Sequence, residues 1–311
     1  AKGDWFFTPP PFAFAFATGK RWLSLGVEAA DCEHRYSTLT YRGVQGGFTL
    51  DLSYDAYTTV TDRYTLPAIG VDFANDEYAA LAQHVDAIRD HSLARREQPA
   101  WWHEPIYCGW GSQCYVAATE NGRAPDYARQ ALYEGFLATL EEHAVAPGIV
   151  VLDDKWQLTY GENRVDPAKW PDLRGFIAAQ HAAGRKVLLW LKAWDPEGVP
   201  AEECITNAAG VKLAVDPTNP AYERRFRDAI RVMLADYDAD GFKIDFTARI
   251  PTSPGARLFD NVWGLELMKR YLSIIYTEAK QIKRDALVMS HTPHPYLADV
   301  LDMIRLNDIS M

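Results

Sequence analysis

The stretch GFKIDF, residues 241–246, places a lysine and an aspartate two apart in an otherwise apolar run. Phe242, Ile244 and Phe246 alternate with Lys243 and Asp245, the period of two that marks a strand. A charge inside a strand core is expensive unless it is paired or put to use. Lys243 and Asp245 are therefore either a strand-end ion pair or the floor of an active site. Other apolar runs end in the same way. Asp153 and Asp154 close IVVLDD (149–154), and Lys192, Trp194 and Asp195 follow VLLWL (187–191). Ser290 and His291 close ALVMSH (286–291), and Asn307 and Asp308 close MIRLND (303–308).

Two carboxyl groups facing one glycosidic bond across about 5–5.5 Å are the requirement of a retaining glycosidase: one attacks the anomeric carbon, the other protonates the leaving oxygen and then activates water. Asp245 and Asp308 are the candidates for these two roles. Lys243, on the same side of its strand, would keep Asp245 ionised through a nearby positive charge and could donate to a sugar hydroxyl. Asp153 and Asp154 can accept from sugar hydroxyls, Lys192 and His291 offer further polar contacts, and Trp156, Trp194 and Trp110 could pack on the apolar face of a pyranose ring. Each residue also has a structural reading: an ion pair for Lys243 and Asp245, a turn for Asp153 and Asp154, a helix cap for Asp308, core for the tryptophans. The combination at matching strand ends favours a site. His291, His294 and Asp299 in SHTPHPYLAD form a weak metal pattern, and no cofactor is expected. The segment holds no GxSxG elbow and no P-loop or GxGxxG motif.

The elements that must position these residues alternate. IYCGWG (106–111) opens a series of six apolar runs, separated by PDYARQALYEGFLATLEEHA, LRGFIAAQHAAG, PAYERRFRDAIRVMLADY and LELMKRYLSIIYTEAKQIK, all with helical spacing. Repeated strand and helix predict a parallel sheet covered by helices. Polar residues at the C-terminal ends of at least five strands fit a closed (β/α)8 barrel better than an open sheet, whose ligands gather at one switch point. The expected fold is thus a (β/α)8 TIM barrel with six of eight strands present, truncated at the C-terminus. A short helix such as YLADVLD is expected to make the last crossover. Residues 1–95 read differently. FAFAF, RWLSLGVEA, YRGVQGGFTLDLSYDAY and TVTDRYTL alternate between turn residues, as antiparallel strands do, and DEYAALAQHVDAIRDHSLA (76–94) has helical spacing. The expected organisation is the C-terminal part of a β-sandwich plus a linker helix over 1–95 and the barrel over 96–311.

Bulk properties exclude several alternatives. The chain has 311 residues and a net charge of −10, with no Lys/Arg run, which argues against nucleic-acid binding. No apolar stretch approaches the roughly 20 residues of a membrane span. The four cysteines, Cys32, Cys108, Cys114 and Cys204, follow no zinc spacing. They read as free thiols, which leans towards a reducing, cytoplasmic compartment. No signal peptide is visible at the start. Oligomeric state is not readable.

The ordered set of motifs resembles glycoside hydrolase clan D, the α-galactosidase and raffinose-synthase group. DGFKIDF, preceded by AVDPTNPAYERRFRDAI, resembles the strand that carries the nucleophile there. IVVLDDKWQ resembles the second strand, GRKVLLWLKAWDPEG the third, and RLND the strand of the acid/base. FTPPPFAFAF and GKRWLSLGVEA resemble the end of the β-sandwich before such barrels. The resemblance implies a retaining α-glycosidase acting on α-linked oligosaccharides, with Asp245 as nucleophile and Asp308 as acid/base. It also implies that Asp153, Asp154 and Lys243 bind the innermost sugar. The third strand is two residues longer than the galactosidase Trp-x-x-Pro-Glu run. After the fifth strand the galactosidases carry a cysteine, a glycine-rich turn and an arginine, where this chain reads SHTPHPYLAD. The resemblance therefore implies scaffold and chemistry more firmly than the sugar. The related α-glucosidase and α-xylosidase group usually ends its nucleophile strand Asp-x-Asn-Glu, which IDFTA does not match. A raffinose-synthase-like transglycosylase, a non-catalytic carbohydrate-binding relative and a metal-dependent barrel hydrolase using Asp153, His291 and Asp308 are the other readings.

Overall fold

A computed structural model describes residues 10–30, 32–54, 60–89, 98–251 and 255–305. Antiparallel strands come first: β1 (Ala13–Thr18), β2 (Arg21–Glu28), β3 (Thr38–Val44), β4 (Gly47–Ser53) and β5 (Ala68–Ala74). They form a three-stranded sheet in the order β1-β2-β5 and a separate β3–β4 hairpin. The third strand of that sheet is Ala68–Ala74, not the expected TVTDRYTL, whose described residues 60–66 form no strand. Helix α1 (Glu77–Ile88) follows, with the Asp76 carboxylate accepting from the Ala79 N–H at 2.8 Å, an N-cap that satisfies one orphan donor.

The second part alternates as the sequence predicts. Its elements are β6 (Ile106–Cys108), α2 (Trp110–Glu120), α3 (Gln130–Glu142), β7 (Ile149–Leu152), α4 (Leu173–Ala182) and β8 (Lys186–Lys192). After a hairpin of β9 (Cys204–Thr206) and β10 (Lys212–Val215) come α5 (Pro220–Arg231), β11 (Gly241–Asp245), α6 (Gly264–Ile282), β12 (Leu287–Ser290) and β13 (Met303–Ile304). The six main strands pair in the order β13-β12-β11-β8-β7-β6, all parallel, and the sheet curls as a half-barrel. Five lie within the apolar runs read from the sequence, and β8 begins at Lys186, one residue before its run VLLWLKAW (187–194). Two further details differ. Trp110 begins α2 rather than ending a strand. The last crossover makes only a 3₁₀ turn at Pro295–Leu297, because Pro293 and Pro295 remove backbone donors and the His294 side chain accepts the Tyr296 N–H instead.

Register explains how one strand face becomes a site. Lys243 lies beside Trp190 and Met289, Gly241 beside Leu188 and Leu287, and Asp245 beside Lys192. Residues paired across a sheet point to the same side, and side alternates along each strand. One side carries Val150, Leu152, Leu189, Leu191, Phe242, Ile244 and Val288. These pack with Phe226, Ile230, Leu265, Met268 and Ile275 of the covering helices in the main core. The other side is split by depth. At the N-terminal end Ile149, Val151, Leu188, Leu287 and Met289 pack around Trp102. At the C-terminal end the same side carries Cys108, Asp153, Trp190, Lys243 and Asp245. Gly241 fixes this register: at φ +150° and against Leu287, an added Cβ would overlap the Leu287 backbone, so only glycine fits.

Candidate active site

Asp245 is the last residue of β11 and is nearly buried, at 7% exposure. Its Oδ2 accepts the Trp190 indole N–H at 2.6 Å and lies 3.5 Å from the Lys243 ammonium. Its Oδ1 contacts His291 Nε2, with the Arg305 guanidinium Nη2 at 3.6 Å. The strand end is pinned because the Ala193 N–H donates to the Asp245 carbonyl at 3.0 Å. Phe246 then turns the chain away with φ +62°, a left-handed conformation rare for a bulky residue and of the kind that collects at functional sites.

A second polar centre sits beside the first. Lys243 Nζ donates to Asp153 Oδ2 at 2.7 Å, and the Cys108 thiol donates to the same oxygen at 2.9 Å. The Lys243 and Asp153 side chains are 5% and 3% exposed. Asp153 is held from behind: its N–H donates to the Tyr133 hydroxyl, which donates to the Gln113 carbonyl oxygen. The Gln113 amide in turn donates to the Asp154 carbonyl. Tyr160 donates its hydroxyl to Asp154 Oδ1 at 2.7 Å, and its ring lies under the ammonium groups of Lys155 and Lys192.

These contacts set the charge states. Burial disfavours the Asp245 carboxylate, but the His291 contact, the Lys243 ammonium and the Trp190 N–H hold the carboxyl well below the usual range. Burial would likewise neutralise Lys243, yet the Asp153 and Asp245 carboxylates keep it charged above its ordinary range. Burial and the Asp153 charge push the Cys108 thiol up to about 12, so it is a protonated donor and not a thiolate. Burial also raises the Asp154 carboxyl, with the Tyr160 hydroxyl partly offsetting the effect.

A cavity of about 300 Å³ opens over this floor, bounded by Trp110, Asp153, Asp154, Lys243, Asp245 and Arg305 among others. That volume suits a monosaccharide-sized group. A larger cleft of about 650 Å³ between Phe12, Phe14, Leu39 and Pro293 has no titratable side chain in its described lining, whereas the smaller one gathers Asp153, Asp154, Lys243 and Asp245.

The structure brings together Asp245, Lys243, Asp153, Asp154 and Trp110 as the sequence suggested, and reassigns others. Trp156 is fully buried and donates its indole N–H to the Trp190 carbonyl at 2.7 Å. Trp194 is 4% exposed, donates to the Thr247 carbonyl and stacks near Tyr271. Both are core, with no face left for a sugar. Lys192 pairs with Asp195 at 2.8 Å above Tyr160, outside the cavity lining. His291 is buried and serves Asp245 rather than a ligand. His294 packs edge-on against His34 and Phe12, and Asp299 pairs with Lys269, so the HTPH segment does not converge on one point. Asp308 lies outside the described residues.

Sequence reasoning missed Trp190, Cys108, Tyr160 and Arg305 as site members. Strand parity could have found Trp190, which shares the side of Lys192. Cys108 and Arg305 needed the register between strands. The structure also holds a serine–histidine–glutamate array: His84 lies 3.0 Å from the Ser24 hydroxyl and 3.1 Å from Glu28. Ser24 is fully buried and donates to the Ala80 carbonyl, so the array ties α1 to β2 and offers no nucleophile to a substrate.

No family model matches the chain. The α-xylosidase XylQ of Lactiplantibacillus pentosus is 27% identical over 154 residues, 43% of this chain and 20% of that protein. Among solved structures, an α-galactosidase from Thermus thermophilus in complex with p-nitrophenyl α-D-galactopyranoside superposes with a TM-score of 0.63. It is 16% identical, over 95% of this chain and 55% of its own. A cycloalternan-degrading enzyme from Trueperella pyogenes superposes with a TM-score of 0.57 at 15% identity, over 91% and 44%. The chain thus spans about half the length of these structures and a fifth of XylQ. At such identities the likeness establishes the fold.

Proposed function

We propose that this chain carries the substrate-binding floor and nucleophile of a retaining α-glycosidase acting on α-linked oligosaccharides, with α-galactosides the first substrates to try. The observation that carries this reading is the Asp245 carboxylate. It stands at a strand end on the floor of a sugar-sized cavity, ionised, and oriented by donors on both oxygens. In a first step Asp245 attacks the anomeric carbon; a C–O bond to the aspartate forms as the glycosidic C–O bond breaks, its electron pair leaving with the aglycone oxygen. That oxygen takes a proton from a general acid, a role the sequence resemblance gives to Asp308. In the second step water, giving its proton back to that residue, displaces Asp245 and releases the sugar. Lys243, Asp153 and Asp154 supply a charged, preorganised hydrogen-bonding floor for sugar hydroxyls, and Trp110 an apolar wall. The α-glycosidase names among the structural neighbours and XylQ support the substrate class. A transglycosylase would use the same residues with a sugar in place of water.

The test is hydrolysis of aryl α-galactoside, α-glucoside and α-xyloside, wild type beside Asp245→Asn. The wild type turns over at least one of them and the variant, still folded by circular dichroism, none. A variant as fast as the wild type removes Asp245 from the chemistry.

A further inference from the structure

Resting on the glycosidase reading, we propose that Arg305 is a positioning residue that acts on Asp245 through its charge, and that its main effect is on release of the sugar from Asp245. The geometry is specific. Arg305 Nε lies 2.9 Å from His291 Nε2, and Arg305 Nη2 lies 3.6 Å from Asp245 Oδ1, the oxygen that His291 also contacts. His291 is buried behind the carboxylate and Arg305 borders the cavity. Because His291 Nε2 donates to Asp245 Oδ1, it has no lone pair for Arg305, and what the guanidinium supplies is a fixed positive charge beside the same oxygen. Arg305 directly follows β13, the strand next to β12, which His291 directly follows.

The charged and titratable groups around Asp245 come from every strand of the sheet: Cys108 on β6, Asp153 and Asp154 after β7, Lys192 on β8, Lys243 on β11, His291 after β12 and Arg305 after β13. Lys243 is shared between Asp153 at 2.7 Å and Asp245 Oδ2 at 3.5 Å, whereas Arg305 lies 3.6 Å from Asp245 Oδ1. Arg305 is a second permanent cation beside the carboxylate and stands on the side opposite the Lys243 contact to Oδ2. Attack on the anomeric carbon turns the carboxylate into a neutral ester, and a nearby cation opposes that loss of charge. Hydrolysis of the ester regenerates the carboxylate, and the same cation favours it. A cation at this position makes Asp245 a weaker base, a slower nucleophile and a better leaving group.

The prediction is a split between kcat and KM. On an aryl glycoside with a good leaving group, Arg305→Met lowers kcat about tenfold and lowers KM in parallel, because the glycosyl intermediate accumulates; kcat/KM stays within about threefold of wild type. The acidic limb of the kcat/KM profile moves up by about one pH unit, and Arg305→Lys, which keeps the charge, restores both. A merely structural arginine would lower kcat/KM, leave the limb in place and gain nothing from lysine; that pattern overturns the proposal. The carboxyl midpoint of Asp245, followed by ¹³C NMR in wild type, Arg305→Met and Arg305→Lys, reads the same field without turnover. An unmoved midpoint in Arg305→Met also overturns the proposal. If the wild type hydrolyses no glycoside while the midpoint rises in Arg305→Met and returns in Arg305→Lys, the glycosidase reading fails and the placement of Arg305 on Asp245 stands.

Discussion

Replacing Lys243 by methionine tests the floor of the site without reference to its function. Methionine keeps the length of the side chain and removes the ammonium. In the wild type that ammonium lies 2.7 Å from Asp153 and 3.5 Å from Asp245. At an effective dielectric of about 20 these contacts amount to roughly 6 and 5 kcal/mol of attraction, most of it offsetting the desolvation of three charges. In Lys243→Met two buried carboxylates face each other with no cation between them. One escape is open: one carboxyl takes a proton, which at pH 7 costs about 4 kcal/mol for a group of ordinary pKa near 3.9. The expected loss of stability at pH 7 is therefore about 3–5 kcal/mol, in line with other buried pairs that lose one partner. The pH dependence has a definite sign. The depressed Asp245 carboxyl stabilises the wild type above about pH 3.9 and loses that contribution as the pH falls further. In the variant the carboxyls are raised instead, so acid relieves them and the penalty falls to less than half by pH 4. Removing the second charge as well, in Lys243→Met with Asp153→Asn, should recover about 2 kcal/mol over the single variant. The assay is urea denaturation at pH 7 and pH 4, with free energies extrapolated to water. A single variant within 1 kcal/mol of wild type at pH 7, a penalty that does not shrink at pH 4, or a double variant no better than the single would refute the argument.

Two further expectations follow from the same geometry. In the folded protein at pH 8, iodoacetamide should label the exposed Cys32 and spare Cys108, whose thiol stays protonated up to about 12; peptide mass spectrometry that finds the two labelled alike would remove the protonated-donor assignment. Trp156→Ala should cost about 3–5 kcal/mol because it empties a fully buried site. Trp110→Ala at the cavity rim should cost less than about 1 kcal/mol and weaken sugar binding; the reverse ranking in denaturation would mean that wall and core have been exchanged.

How far the sequence could be read depended on the kind of pattern. The six parallel strands were legible because each is a short apolar run bounded by turn residues, between segments with helical spacing. Asp245 and Lys243 were legible as a site because their charges break the apolar pattern of a buried strand. The tryptophans were not. Trp156 and Trp194 have the composition of a sugar platform, but whether an indole lies in the core or at a surface depends on what packs against both of its faces. Ala68–Ala74 was missed as a strand, and TVTDRYTL taken for one, because half-exposed antiparallel strands and extended loops have similar local composition.

By itself the sequence determined the alternation of strand and helix and the side of each strand on which its polar residues fall. Backbone periodicity is local, and a period of two assigns the side without any knowledge of neighbours. Only the tertiary structure decided which strand tips meet. It placed Cys108 on Asp153, Trp190 and His291 on opposite oxygens of Asp245, and Arg305 beside His291, residues separated by 45, 55, 46 and 14 positions from their partners. The offset between neighbouring strands, fixed in part by the close approach that Gly241 allows to Leu287, set those meetings. That offset is a property of packed pairs of strands, and no single strand carries it.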